Sequence, residues 1–254
     1  MIFETVILLL TGFISMLYAT FSGGGALLIV PVLVFAGASP AVAVATNRFA
    51  IFTQSIFRLP FVHGRLGLGI KIPAIIVVSQ TIGAVLGALA LVSLESELLF
   101  RVLGITMIGG ALLTYYSPKG ETKAVKSDIS QKSIAIALAA FFLLGIYRGF
   151  FGPAAGIFNR LVSVQVLGLD FVQSITLGAY NAFFASLAAL LIFLNAGIVD
   201  FSMGIPLTIG AVIGAVIGIK FAIEKGNVFI KNAFVAFSII FGIYFAFFYG
   251  VANA

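Results

Sequence analysis

The sequence predicts an all-α polytopic membrane protein made of two inverted repeats, each of five hydrophobic segments. Three observations carry that prediction. Of 254 residues, 62% are hydrophobic and only 9% charged, where ordinary globular domains carry about a quarter charged residues. Apolar runs close to the ~20 residues needed to cross a hydrocarbon core recur from end to end. One extended polar stretch, SPKGETKAVKSDISQK at 117–132, divides the chain almost in half. The expected layout is a first repeat at 1–117, a linker at 118–132 and a second repeat at 133–254.

Segment 1, at 2–21, follows an N-terminus without the basic region of a signal peptide and is read as retained. Segment 2, at 25–37, is short: ALLIVPVLVFAG as a helix is about 18 Å long, roughly half a bilayer. It follows three consecutive glycines, Gly23, Gly24 and Gly25, which cost about 1 kcal/mol each in a helix interior and should break it. Segment 3, at 40–58, carries Thr46, Asn47 and Arg48 and leads into a polar loop with Arg58, His63, Arg65 and Lys71. Segments 4 and 5, at 71–94 and 97–117, flank a turn bearing Glu95 and Glu97. Segment 6, at 133–151, ends at a second break, Gly152–Pro153–Ala154, before the short segment 7 at 154–168. Segments 8, 9 and 10 follow at 171–195, 199–222 and 227–250.

The halves resemble each other at an offset of about 130 residues. YATFSGGGALL (18–28) aligns with YRGFFGPAAGI (147–157), and TIGAVLGA (81–88) is nearly repeated as TIGAVIGA (208–215). Loop charge sets the relative orientation. The loop after segment 3 and the linker are rich in Lys and Arg and should be cytoplasmic. The turn corresponding to the loop after segment 3, NAGIVD at 195–200, has no cation, whereas the turn corresponding to Glu95 and Glu97 carries Lys220 and Lys225. The repeats are therefore expected to be inverted, with both termini outside. Inverted repeats whose broken helices meet near the midplane are a recurrent transporter architecture, and the paired breaks point to the binding site.

A half-helix N-terminus offers unpaired N–H groups and a partial positive charge, which suit an anion. The charged residues agree in sign. All eight acids (Glu4, Glu95, Glu97, Glu121, Asp128, Asp170, Asp200 and Glu224) fall at segment ends or in loops, which disfavours cation transport and carboxylate proton relays. Arg48, Arg148 and Arg160 fall within apolar stretches. The expected anion site comprises Gly23, Gly24, Gly25, Thr46, Asn47 and Arg48 from the first repeat. The second repeat is expected to add Arg148, Gly152, Pro153, Ala154, Thr176 and Asn181. Arg48 is the expected main charge partner. Gly83/Gly87 and Gly210/Gly214/Gly218 are read as close helix packing.

FSGGGALLIVP followed by AVATNR, with GIYRGFFGPAAGIF in the second half, resembles the TauE/SafE family of membrane transporters, the sulfite exporters. The resemblance spans essentially the whole chain. It implies movement of sulfite, thiosulfate or a small organosulfonate across a prokaryotic cytoplasmic membrane. It places the family motifs on Gly23, Gly24, Gly25, Pro31, Thr46, Asn47 and Arg48, and on Gly149, Gly152, Pro153 and Gly156. Many members of that family carry an acidic residue where this chain has Arg148.

The leading function is thus a secondary transporter of a small anion by alternating access. An anion channel and a non-transporting membrane scaffold are the alternatives. An enzyme is disfavoured: there is no cysteine and one histidine, His63, and the sequence shows no metal-ligand cluster, nucleophile–His pair or paired carboxylates at membrane depth. No cofactor is implied. The net charge of +6 lies mostly in short loops and implies no nucleic-acid partner; the expected partners are the anion and the bilayer.

Overall fold

The computed structural model describes residues 2–22, 26–116, 129–152 and 155–222, with residues 239, 240 and 243. Gly23, Gly24, Gly25, Pro153 and Ala154, most of the linker and nearly all of segment 10 lie outside the described residues. The described chain is helical, without strands: α1 Ile2–Ser22, α2 Ala26–Phe35, α3 Pro40–Val62, α4 Lys71–Ser93, α5 Ser96–Tyr116, α6 Gln131–Phe150, α7 Ala155–Gln165, α8 Phe171–Asn195 and α9 Phe201–Ala222. These match the first nine expected segments with one consequential difference. Segment 3 was expected to stop at 58, leaving Arg58 in the loop. Instead α3 continues a further turn to Val62. Pro60 is tolerated so close to the helix end, and the His63 N–H still donates to the Leu59 carbonyl at 3.0 Å.

Local chemistry starts the helices. Ser39 caps α3, with Pro40 in the first turn. At α8, Asp170 Oδ1 accepts from the Gln173 N–H at 2.7 Å while Gln173 Oε1 accepts from the Asp170 N–H at 3.0 Å, a reciprocal capping box. Asp200 does the same work for α9, accepting from the N–H groups of Ser202 and Met203 at 2.8 and 3.1 Å.

Helices α1, α4, α6, α8 and α9 are long and apolar enough to cross a membrane. Their outward faces are apolar: on α4, Ile75, Val78, Ile82, Leu86 and Leu89 are exposed at the three- and four-residue spacing of one helix face. Their inward faces carry glycine. A Cβ added at Gly83 or Gly87 would lie 2.2 or 2.0 Å from the carbonyl oxygen of Phe142 or Ile146 on α6. Gly145 and Gly149 meet Gln80 and Ala84 in return, so α4 and α6 run parallel with backbones touching. Helices α1 and α9 form a second parallel pair, with Gly210 and Gly214 against Leu9 and Phe13 and with Gly12 against Leu207. Lipid supplies little apolar drive for helix association, so close backbone approach of this kind is what holds the helices together.

Between these pairs lie α3 and α8. Helix α3 packs on α9, α8 packs on α4, and the two pack on each other. Helices α1, α3 and α9 start at one end of the molecule, where the Asp200 N–H donates to Thr46 Oγ1 at 3.0 Å. Helices α4, α6 and α8 start at the other end, where His63 Nδ1 lies 3.1 Å from the Tyr180 hydroxyl. Arg65, Lys71 and Lys132 fall at this second end and Glu95, Glu97 and Asp200 at the first, where Glu97 is paired with Arg101 at 2.7 Å.

Three outcomes are expected. Gly87→Ala forces α4 and α6 apart, costing about 1–3 kcal/mol and lowering the thermal midpoint of the detergent-purified protein. Gly109→Ala, inside α5 where an added Cβ meets nothing within 4 Å, leaves that midpoint unchanged or slightly raised, because alanine is the better helix former. At α9, the Ser202 hydroxyl and then the backbone N–H groups hold the Asp200 carboxyl below its ordinary 3.8. A depressed carboxyl stabilises the fold above its unfolded-state pKa and loses that contribution as pH falls through the folded value. Thermal melts of Asp200→Ala should therefore show a deficit of about 1 kcal/mol at pH 7, closing under strongly acidic conditions.

Candidate functional site

Among the described residues, Arg48 is the largest side chain that is fully buried, at 1% exposure. Its helix places it against the end of α6. The last carbonyls of a helix have no intrahelical N–H partner and carry the negative end of the dipole. Arg48 Nη2 donates to the carbonyl of Arg148 there, and to the carbonyl of Phe151 at 3.3 Å. The chain then turns through Gly152 at a φ of +87°, where a Cβ would stand 2.9 Å from Arg48 Nη2. Glycine is needed there twice, for the left-handed backbone and for room beside the guanidinium.

Arg48, Arg148 and Gly152 border a cavity of about 100 Å³, room for a few water-sized molecules. Gln54 and Arg58 extend its wall along α3, and α7 contributes its first turn together with Asn159 and Arg160. Ser174 and Gly178 of α8 close the far side. Arg48 and Arg58 are ten residues apart, about 15 Å along α3, so positive charge extends the length of the wall. Four arginines line the cavity, and none of the described lining residues is acidic. The Nε atoms of Arg48, Arg58 and Arg148 are buried without a hydrogen-bond partner. Burying charge costs several kcal/mol per ion even after relaxation. Negative charge placed in the cavity would offset that cost.

Of the other expected residues, those that are described do not border the cavity. Thr46 and Thr176 are fully buried but already engaged: Thr46 accepts from Asp200, and Thr176 donates to the Val172 carbonyl of its own helix at 2.8 Å. Asn47 and Asn181 are fully buried with both amide atoms unpartnered, and neither borders the cavity. The cavity takes in four polar residues the sequence reading left out of the site, Gln54, Arg58, Asn159 and Ser174, as well as Arg160, which it noted only as an intramembrane arginine. The spacing of Arg48, Ile51, Gln54 and Arg58 along one helix face was the available signal for the α3 wall.

The family model described as "Sulfite exporter TauE/SafE" matches residues 8–245. The chain belongs to the TauE/SafE sulfite exporter family. Relatives of this TauE/SafE chain include a "Probable membrane transporter protein" of Haemophilus influenzae, 25% identical over 91% of this chain and 90% of its own length. Escherichia coli K12 has the "Probable membrane transporter protein YfcA", 29% identical over 91% of this chain and 84% of its own. A third, "Probable membrane transporter protein ORF9" of Sinorhizobium sp, is 27% identical over 91% and 88%. No solved structure matches the chain. The chain is therefore a multi-pass membrane transporter of the TauE/SafE family.

Arg48 has a structural duty beyond charge, because its removal leaves the end of α6 open. Arg48→Ala is expected to lower the thermal midpoint by the equivalent of about 2 kcal/mol, the cost of stranding buried acceptors. Arg48→Lys, which keeps a cation but loses the planar fork, should recover part of that loss in the same melt.

Proposed function

We propose that this chain is a secondary transporter that moves a small sulfur-containing oxyanion, such as sulfite, thiosulfate or an organosulfonate, by alternating access. The observation that carries the reading is the cavity itself: four arginines around a small buried space, with no acidic side chain among the described residues that line it. The family description adds the sulfur chemistry. Planar guanidinium groups with fixed N–H directions match oxyanions better than halides.

The helix pattern supports a mechanism. Exchanging α1 with α6, α3 with α8 and α4 with α9 maps the observed pairings onto themselves, as an inverted duplication divided at the linker would require. The α4–α6 pair could then rock, as a unit, against the α1–α9 pair about the α3–α8 contact while the anion stays between them. The clustering of Arg65, Lys71 and Lys132 at one end favours that end as cytoplasmic, and the proposed topology accordingly has the linker inside, the termini outside and the protein in the cytoplasmic membrane.

Counterflow in proteoliposomes tests the reading. With unlabelled sulfite inside, uptake of labelled sulfite by wild type should be trans-stimulated and saturable. Arg160→Ala should raise the apparent KM about tenfold or more, as loss of a charge-assisted hydrogen bond predicts. Conductance without trans-stimulation would identify a channel instead, and no flux from folded protein would remove the transport reading for this anion.

A further inference from the structure

Three of the cavity's arginines, Arg48, Arg58 and Arg148, form no ion pair with a carboxylate among the described residues. Arg48 donates to the carbonyls of Arg148 and Phe151, and a carbonyl carries only a partial negative charge. Glu97 is paired with Arg101, outside the cavity. Asp170 stands one turn before Ser174 on α8, but it caps that helix, its Oδ1 accepting from the Gln173 N–H at 2.7 Å, and it does not border the cavity.

These charges act on one space. Arg48 and Arg148 repel each other, as do Arg148 and Arg58 and, further along the wall, Arg58 and Arg160. The series runs from α3 to α6 and α7 around a cavity of about 100 Å³. A ligand in so small a space stays within the field of all of them.

The number of cations decides which ligand charge is favoured. Attraction to the wall grows in proportion to the ligand's charge and to the number of cations facing it. The cost of taking the ligand out of water grows with the square of its charge. One arginine therefore favours a single negative charge, because a second adds more dehydration cost than attraction. Several arginines without counter-charges reverse that balance, and a monoanion would leave most of the wall's charge uncompensated.

We propose, building on the anion-transport reading above, that the cavity selects its ligand by charge and takes a doubly charged oxyanion in preference to a singly charged one of the same size. Within the sulfur oxyanions this favours sulfite and thiosulfate as dianions over the organosulfonates. The selectivity belongs to the summed charge of the wall and not to any single contact.

The test is calorimetric titration of the purified full-length protein at pH 7 with thiosulfate and methanesulfonate. Both carry three oxygens on one sulfur, and the fourth substituent is a charged sulfur in the first and a methyl group in the second. At this pH thiosulfate is a dianion and methanesulfonate a monoanion. Wild type should bind thiosulfate about a hundredfold more tightly. Arg58→Gln and Arg148→Gln, on different helices, should each cut that preference about tenfold. Equal binding by wild type, or tighter binding of methanesulfonate, overturns the proposal whether or not the variants fold, and leaves the anion reading standing. A preference abolished in one variant and untouched in the other also overturns it, since that would be a single contact; so does a preference that neither variant changes. Binding of neither anion overturns the proposal together with the anion reading.

Discussion

The guanidinium of Arg48 joins the two halves of the chain where α6 stops. It is carried by the first half, on α3, and it bonds backbone of the second half, at Arg148 and Phe151. Without it the end of α6 would strand buried carbonyls, and the turn through Gly152 would lose the group it is shaped around. Other features follow from that contact. Helix α3 must be enclosed by protein, because lipid would not tolerate Arg48, and α8 and α9 provide that enclosure. The cavity forms beside the contact because α7 begins only after the break.

This arrangement needs a firm frame, which comes from glycine rather than from large apolar side chains. In the α4–α6 and α1–α9 pairs the backbones approach until a single methyl group would collide, while isoleucine, leucine and valine face outward. That is the expected distribution for a protein whose solvent is hydrocarbon: burying leucine between helices gains little over leaving it in lipid, so packing and hydrogen bonding carry the association. Two rigid pairs flanking a polar middle suit a protein that must rearrange around a site without unfolding it.

Much of this was legible in the sequence because it is written in residue types with few alternative uses. Length and hydropathy marked ten segments, nine of which are helices among the described residues, spaced glycines marked close helix packing, and arginine in an apolar stretch marked Arg48 and Arg148. The cavity wall was less legible for two reasons. The end of α3 was set one turn too early, since Arg58 and Pro60 beside a basic loop look like a helix terminus; the structure puts Arg58 on the helix and in the cavity. Side-chain amides and hydroxyls also do not reveal their partners. Thr46, which accepts from the Asp200 N–H, and Thr176, which donates to the Val172 carbonyl, do not border the cavity. Gln54 and Asn159 stood out as nothing in particular until folding left their oxygens unpartnered. The glycines of the first break and Pro153 and Ala154 of the second lie outside the described residues, so the backbone donors expected from them remain a proposal.

The central claim is that an anion sits among Arg48, Arg58, Arg148 and Arg160. Selenite is a heavier analogue of sulfite, and its anomalous scattering locates it without ambiguity. Crystals of the protein soaked in selenite should show one strong anomalous peak inside this cavity, within hydrogen-bonding distance of Arg48 or Arg148. A well-ordered structure at saturating selenite with the cavity free of anomalous signal, or with the peak at another site, would contradict the claim.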